Sequence, residues 1–175
     1  DIIVDSKSGV SGAGRGLSLN SHFCEAHESI KAYGIGGHRH QPEIEQELSA
    51  AAGLPVQITF TPHLVPMNRG ILTTAYARKA AGAAAASVRE ALVCAYAGER
   101  FVKVLPEGVY PQTKWVYGTN YVQIGLCVNE KNGRVIVVSA IDNLTKGASG
   151  QAVQNLNLMF GLDEGTGLLM PGIFP

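Results

Sequence analysis

The sequence predicts an α+β domain, with a largely antiparallel or mixed sheet and helices on one face. Asn132-Gly133 separates two strand-like runs, residues 121–128 and 135–141, and this dipeptide favours a tight hairpin between antiparallel strands. Strand-like and helix-like segments do not alternate strictly, so a wholly parallel sheet is not expected. With 46% apolar and 16% charged side chains among 175 residues, the chain is long and apolar enough for one well-packed domain.

The other elements are predicted from periodicity and from the positions of glycine and proline. Alternating apolar residues predict strands, and helix-favouring runs that stop at a glycine predict helices. Pro42, for example, suits the first turn of a helix that Gly53 ends. In chain order we predict a strand at 2–4, a Gly/Ser loop at 6–16, a short helix passing into a strand within 21–33, a helix at 42–52, strands at 56–60 and 71–77 around a loop with His63, Asn68 and Arg69, a helix at 83–97, a strand at 101–104, a loop at 106–113, the two hairpin strands, a helix at 146–160 and an apolar tail at 161–175.

Charge and composition argue against several classes of partner. Lys and Arg together number 14, as do Asp and Glu, so no overall basic field attracts nucleic acid. No apolar run reaches the roughly 20 residues of a membrane helix, and the N-terminus does not resemble a signal peptide. The chain opens inside a predicted strand without an initiating Met, so we expect it to continue upstream of Asp1.

The most informative segment is the His loop, which comprises His38, Arg39 and His40 and directly precedes the helix at Pro42. An imidazole can take and give a proton near neutral pH, and a guanidinium holds phosphate or carboxylate. The segment therefore suggests acid–base chemistry on an anionic substrate, with Glu43 or Glu45 able to orient an imidazole. Two alternatives stay open: histidines with only a structural role, or a metal site, which lacks obvious third and fourth ligands.

Two further segments suggest anion binding. The Gly/Ser loop carries glycines that allow close approach of a phosphate, between Lys7 and Arg15, or it is a plain surface turn. It fails as a dinucleotide fingerprint, because Leu17 occupies the third glycine position. Lys146 is predicted at a helix N-terminus, where a cation opposes the helix dipole and often serves an anionic ligand. The alternative is a simple polar cap by Asn143 or Thr145.

The cysteines give little support for a nucleophile within this chain. Three cysteines without CxxC spacing predict neither a disulfide framework nor a zinc knuckle, and they fit a cytoplasmic location. Cys94 and Cys127 are expected to be small buried hydrophobic residues. Cys24, between His22 and His27, is the only plausible activated thiol.

Five segments in this order closely resemble the C-terminal part of the N-acetyl-gamma-glutamyl-phosphate reductase family. They are residues 6–15, 32–35, 38–44, 60–71 and 142–155. The resemblance covers essentially the whole chain and implies a fold like the C-terminal domain of glyceraldehyde-phosphate dehydrogenase. It implies an NADPH-dependent reductase of arginine biosynthesis, in which a cysteine thiolate forms a thioester from an acyl phosphate and a hydride reduces it to N-acetyl-glutamate semialdehyde. Neither the dinucleotide-binding turn nor the nucleophile motif of the family is present, so both are expected upstream of Asp1.

The resemblance also implies roles for individual residues. His40 or His38 is the acid–base partner of the thiolate, and we favour His40 because Glu43 lies one turn later. Arg15, Arg39 and Arg69 grip the substrate carboxylate and phosphate. Ser11 and Glu43 contribute to the substrate site, while Ser8, Gly9, Gly12 and Asn143 border the NADP cofactor.

For the domain as a whole, the resemblance implies substrate binding and dimerisation by residues 1–175. Residues 147–175 would return toward an N-terminal NADP-binding domain, and a sheet face would join subunits of a dimer or tetramer. Two other hypotheses stay open: a binding or assembly module without chemistry of its own, and a metal-dependent hydrolase built on the His loop.

Overall fold

Seven strands form one mixed sheet in the computed structural model, which describes residues 1–173. The order across the sheet is β2-β3-β1-β4-β7-β6-β5. The pairs β1–β3 and β5–β6 are parallel, and the other four are antiparallel, so the predicted fold class is confirmed. The strands are β1 (Ile2–Gly9), β2 (Lys31–Ala32), β3 (Ile58–Val65), β4 (Ile71–Arg78), β5 (Val102–Val104), β6 (Val122–Asn129) and β7 (Arg134–Ile141).

Within residues 1–173, four of the five helices lie in connections between these strands, and the last helix follows β7. A π-helical turn, Thr145–Ser149, leads directly into the last helix. Gly53 ends the second helix in the left-handed conformation, with φ 67°, as a glycine at that position predicts. The helices are α1 (Phe23–Ala26), α2 (Gln41–Ala52), α3 (Ala85–Ala95), α4 (Thr113–Val116) and α5 (Gly150–Met159).

The predicted hairpin is present. Asn129 pairs with Arg134 at the closed end of β6 and β7, and Gly133 has φ 68°. Part of the predicted apolar tail, Phe174 and Pro175, lies outside the described residues.

The first strand extends further than predicted. The sequence placed Ser6 and Gly9 in a loop, whereas β1 continues to Gly9. It is paired on both sides, with β3 and β4, and the Ser6 and Thr73 hydroxyls are joined by a 2.8 Å hydrogen bond. Pairing with two neighbours overrides the low strand propensity of a Ser/Gly segment.

The predicted loop around His63 is also wrong, because β3 runs through Pro62 to Val65. The Pro62 carbonyl accepts a hydrogen bond from the Tyr33 backbone N–H at 3.0 Å, so this side of the backbone faces the chain that continues from the short edge strand β2. Pro62 has no backbone N–H to donate toward this side, where the neighbouring strand is only two residues long. Few hydrogen bonds between strands are lost there, so β3 tolerates the proline.

Burial along β3 separates the two faces of the sheet at this end. Ile58, Phe60 and Leu64 are buried on one face, while Thr59 is exposed and His63 is half-buried on the other. The Gln41 and Glu45 side chains of α2 bind the backbone of Ile58, which fixes this helix beside the start of β3.

Cys94 contradicts its prediction, because it is exposed, and Cys127 is half-buried. On α3, Val88 and Leu92 are the half-buried apolar positions one turn apart. Cys94 lies two residues beyond Leu92, which turns it to the opposite side of the helix.

Candidate functional site

Loops from four parts of the chain meet at one end of the sheet. The ends of β1, β3 and β7 and the start of β4 lie on the same edge, because β1 is parallel to β3 and β4 is antiparallel to β1 and β7. Three backbone hydrogen bonds join the first two loops: Gly9 N to Gly70 O, Val10 N to Met67 O, and Ser11 N to Asn68 O, at 2.9, 2.9 and 3.2 Å. A Cβ on Gly9 would lie 2.9 Å from the carbonyl oxygens of Met67 and Asn68, so this contact requires glycine.

The centre of this edge is a buried carboxylate, Asp142, which has no exposed side-chain surface. Its Oδ1 accepts from the backbone N–H groups of Leu144 and Thr145 at 2.8 and 3.0 Å, and its Oδ2 accepts from Gly118 N at 2.7 Å. Burial alone would raise the pKa of Asp142, but these backbone hydrogen bonds and that from Arg69 outweigh it and hold the pKa below its ordinary value. The carboxylate is therefore charged at neutral pH.

Arg69 is the counterion of this carboxylate. Its Nε donates to Asp142 Oδ1 at 3.3 Å and its Nη2 lies 2.8 Å from Oδ2, which is a side-on pair. Nη2 also donates to Thr145 Oγ1 at 3.0 Å, and the guanidinium lies 5.0 Å from the centre of the Tyr117 ring. We call Arg69, Asp142, Thr145 and Tyr117 the Arg69 cluster.

Asn143 ties the same edge together on the other side. Its Oδ1 accepts from Gly70 N at 2.7 Å, and its Nδ2 donates to Ser11 Oγ at 2.9 Å. Ser11 in turn donates to the Asn68 carbonyl. A Cβ on Gly12 would lie 3.0 Å from Ser8 Oγ and 3.6 Å from Asn143 Nδ2, so Ser8 and Gly12 belong to the same group.

An open cleft of about 940 Å³ lies beside the Arg69 cluster. Ser11, Arg15, His22, Arg69 and Tyr117 are among its lining residues, and we call it the Arg69 cleft. Three of the predicted substrate residues (Ser11, Arg15 and Arg69) thus face one cavity, although Arg69 is more than 50 residues from the other two in sequence.

The His loop lies elsewhere. His38 packs edge-on against Phe60, with ring centres 5.2 Å apart, and against Tyr33 at 5.4 Å. Phe60 is five residues before the end of β3, about 16 Å along the strand from the Arg69 edge. Neither His38 nor His40 lines the Arg69 cleft.

The two imidazoles of the His loop have different surroundings. His38 is half-buried, its Nδ1 accepts from His40 N at 3.2 Å, and its pKa is lowered by burial and by the nearby His40 and Arg39. The ring of His40 is exposed and lies 5.1 Å from that of His38. Gly34 makes room for His38, because a Cβ there would lie 2.9 Å from His38 Cδ2.

The carboxylate expected to orient His40 does not bind it in the described part of the chain. Glu43 is exposed, as is Arg39. Glu45 accepts instead from Ile58 N and Gln41 Nε2, both at 3.1 Å, and its pKa is lowered by these hydrogen bonds. Lys146 donates from Nζ to Gln154 Oε1 at 2.7 Å and does not line the Arg69 cleft.

Sequence reasoning missed three residues of this edge: Asp142, Thr145 and Tyr117. A sequence signal was available for Asp142 and Thr145. An Asp that directly follows a strand often accepts hydrogen bonds from the backbone N–H groups two and three residues later, which forms a turn. The contact of Tyr117 with Arg69 joins segments 48 residues apart (117 − 69), and no local pattern predicts it.

The described residues fit the border of a nicotinamide cofactor but not its phosphates. Asn143 uses one N–H of its Nδ2 in the hydrogen bond to Ser11. The second N–H can donate to the carbonyl oxygen of a carboxamide. Lys7, the cation nearest to Gly9 in sequence, is paired with Asp5, and Arg15, toward the end of the Gly/Ser loop, lines the Arg69 cleft. Within residues 1–173, no cluster of three or more His, Cys, Asp or Glu side chains is arranged to hold a metal ion, and none of the helices there is long and apolar enough to cross a membrane.

Comparisons with known proteins agree with this fold. Residues 1–143 match the family described as semialdehyde dehydrogenase, dimerisation domain. The chain is 16% identical to a probable aspartate-semialdehyde dehydrogenase from Pseudomonas aeruginosa and 17% to aspartate semialdehyde dehydrogenase II from Vibrio cholerae. The TM-scores are 0.69 and 0.68, with 91% of this chain and 54% of each structure covered.

Relatives of closer sequence carry one name. The chain is 62% identical over 174 residues to an N-acetyl-gamma-glutamyl-phosphate reductase from Pelotomaculum thermopropionicum, covering 99% of this chain and 50% of the relative. It is 57% identical over 175 residues to that of Desulforudis audaxviator, covering 100% and 51%. The chain thus spans about half the length of these curated relatives. By its family match and its sheet topology, the chain belongs to the semialdehyde dehydrogenase dimerisation-domain family.

Proposed function

We propose that this chain is the substrate-binding and dimerisation domain of an NADPH-dependent reductase that converts N-acetyl-glutamyl phosphate to N-acetyl-glutamate 5-semialdehyde and phosphate in the cytoplasm. The observation that carries the proposal is 62% identity, over 99% of the chain, to a reductase of that name. The substrate is a small acyl phosphate with two anionic groups, and the Arg69 cleft offers two guanidinium side chains, Arg15 and Arg69.

Arg69 is the better ordered of these anion-binding groups. Asp142 and Thr145 occupy Nε and Nη2, and Nη1 has no hydrogen-bond partner within residues 1–173. That edge of the guanidinium is available to a carboxylate or phosphoryl oxygen. Arg15 lines the same cleft and contributes a guanidinium donor. Ser11 also lines it, with a hydroxyl that donates to the Asn68 carbonyl and accepts from Asn143. Arg39, within the His loop, and Glu43, in the first turn of α2, are exposed and are proposed as further substrate contacts.

His40 is the proposed acid–base group, with His38 beside it. In the proposed reaction an upstream cysteine thiolate displaces phosphate, and an imidazolium beside it lowers the thiol pKa and later protonates the developing alkoxide. The exposure of His40 suits this role, because the ring is open to a partner from another segment or domain.

NADPH would supply the hydride. Ser8, Gly9, Gly12 and Asn143 are proposed to border its nicotinamide, while an N-terminal domain holds most of the dinucleotide. The surface of α5 supports such a domain contact, because Leu156, Leu158, Met159 and Phe160 are all exposed there. We therefore propose that residues 147–175 return toward that domain, with residues 174 and 175 outside the described structure.

A second copy of the chain is the proposed macromolecular partner, in a dimer or tetramer. We place the subunit interface on the sheet face that carries Thr61 and His63, where side chains are only partly covered within residues 1–173. No nucleic-acid or membrane partner is proposed.

The decisive experiment compares two preparations: the product of the complete native reading frame and the 175-residue chain alone. We expect the first to reduce N-acetyl-glutamyl phosphate with NADPH and the second neither to bind NADPH tightly nor to turn over. Light scattering checks that both are folded oligomers. A folded complete product that reduces the acyl phosphate with neither NADPH nor NADH would refute the reductase, and normal turnover by the 175-residue chain would refute the division of roles.

A further inference from the structure

The guanidinium of Arg69 is held more rigidly than a surface arginine needs to be. Asp142 Oδ1 accepts a hydrogen bond from Nε, Thr145 Oγ1 accepts one from Nη2, and Nη2 also lies 2.8 Å from Asp142 Oδ2 in the ion pair. The ring of Tyr117 covers the group at 5.0 Å. A side chain with several rotatable bonds is thereby restricted in place and orientation before any ligand arrives.

Asp142 is in turn fixed by the backbone of two separate segments. Leu144 and Thr145 donate to it from the turn after β7, and Gly118 donates from the turn after α4. Its side chain is completely inaccessible to solvent, so no ligand can reach it. Asp142 therefore acts on a bound substrate through the groups that it holds, of which Arg69 is the charged one that lines the cleft.

The third guanidinium nitrogen points away from this network. Nη1 has no hydrogen-bond partner within residues 1–173, although Arg69 lines the cleft and its side chain is 25% exposed. A guanidinium that is fixed through Nε and Nη2 can present Nη1 to only a narrow range of anion positions.

We propose that Asp142 and Thr145 are positioning residues, which hold Arg69 so that its free Nη1 edge fixes one anionic group of the substrate in the Arg69 cleft. The inference rests on the proposed function for the identity of the substrate. It adds Asp142 and Thr145 to the residues of the site, and the fixed position of Arg69 as the means by which an anionic group is selected. The group bound is an oxyanion, either the carboxylate or the phosphoryl group of the acyl phosphate.

The experiment uses the product of the complete reading frame with a matched pair of variants. Thr145→Val removes the hydroxyl that accepts from Arg69, whereas Thr145→Ser keeps it, and both retain the backbone N–H that binds Asp142. We expect Thr145→Val to raise the KM for the acyl phosphate by about tenfold, as for a lost hydrogen bond to a charged group, with the KM for NADPH unchanged. Thr145→Ser should restore the wild-type value. Equal KM values for the acyl phosphate in the two variants, or equal changes in both KM values, would overturn the proposal.

A binding measurement separates this inference from the proposed function. Inorganic phosphate and N-acetyl-glutamate are titrated separately into the same variants by calorimetry, which requires no turnover. The anion whose Kd weakens in Thr145→Val and recovers in Thr145→Ser is the one that Arg69 holds. If the Kd values follow this pattern but the wild-type protein lacks reductase activity, the positioning role is supported and the proposed reductase function is refuted. If Thr145→Val weakens the binding of neither anion, or if the wild type binds neither, the positioning role is refuted even for an active reductase.

Discussion

Arg69 and His40 are both proposed to act on the same substrate, but the chain supports them differently. Arg69 is bound by a buried carboxylate, a hydroxyl and an aromatic ring, all supplied by this domain. The imidazole of His40 is exposed, and within residues 1–173 it has no hydrogen-bond partner, only the neighbouring ring of His38. The domain therefore preorganises the proposed anion-binding group and leaves the proposed acid–base group open, as expected if the reacting sulfur is contributed by another segment.

Substitution of the His40 imidazole is the largest expected effect on catalysis, and because this ring is exposed the change should leave stability intact. His40→Asn is expected to lower kcat by about 10²–10⁴-fold, the usual contribution of general acid–base catalysis, without a change in melting temperature. His38→Asn distinguishes the two rings, since the larger loss identifies the proton-transferring one. Steady-state kinetics on the product of the complete reading frame measure both. His27→Asn changes another exposed imidazole and serves as the control; full activity in both His loop variants would refute the assignment.

Asp142→Asn is expected to show the opposite behaviour, a large loss of stability. The amide cannot accept from every donor that now binds the carboxylate, and Arg69 would lose its buried counterion. Breaking a buried ion pair in this way costs about 3–5 kcal/mol of unfolding free energy. Urea denaturation measures it, with Glu130→Gln, an exposed carboxylate, as the control. A loss no greater than that of the control would mean that the cluster is not preorganised.

The same carboxylate predicts a dependence of stability on acid. Because hydrogen bonds hold the folded pKa of Asp142 below its ordinary value of 3.8, the unfolded chain binds more protons in that range. The stabilisation by Asp142 is fully present above pH 3.8 and is lost as the pH falls through the lower folded pKa. Urea midpoints of the wild type should therefore fall in this acidic range more steeply than those of Asp142→Asn. Parallel curves for the two proteins would contradict the pKa direction.

The two regions also differ in how far the sequence predicts them. The His loop is a continuous segment, and the chemistry of His38, Arg39 and His40 can be recognised in the sequence. The Arg69 cluster joins residues far apart in sequence, and its existence depends on which strand ends share an edge. Asn143, Ser11 and Arg69 were proposed as site residues from a family resemblance. The contacts of Asp142 and Tyr117 with Arg69 became evident only from the pairing of β4 with β7 and the position of the turn after α4.

Errors in the predicted elements have a similar origin. The Gly/Ser segment up to Gly9 and the segment through Pro62 both have poor strand propensity, yet they form adjacent strands because pairing with neighbours compensates for it. The second helix and the hairpin were predicted almost to the residue, since their signals, Pro42, Gly53 and Asn132-Gly133, are local. Local signals thus predicted the boundaries of elements, while tertiary pairing determined the site edge.

A smaller effect tests how far the His loop is itself ordered. Gly34 and Gly36 both have positive φ, 58° and 71°, so alanine at either position should cost about 1–2 kcal/mol of unfolding free energy. Only at Gly34 would the new Cβ meet a side chain, His38 Cδ2 at 2.9 Å, while nothing lies within 4 Å at Gly36. We expect Gly34→Ala to be the more destabilising in urea titrations and to shift the His38 ring resonances. Equal losses and unchanged His38 resonances would show that the ring is not held by this contact.

The smallest expected effect is a pKa change within the His loop. Burial, His40 and Arg39, in that order, lower the pKa of His38, so Arg39→Gln should raise it without restoring its ordinary value. His40→Asn should raise it too, and by more, because His40 is the stronger of the two charged influences. NMR titration of the His38 ring measures these changes, with Lys131→Gln in the distant hairpin as the control. If the pKa of His38 rises in neither variant, electrostatic coupling within the loop is absent. If it rises in both, and by more in His40→Asn, the neighbouring His40 and Arg39 disfavour the protonated form of His38 within the loop.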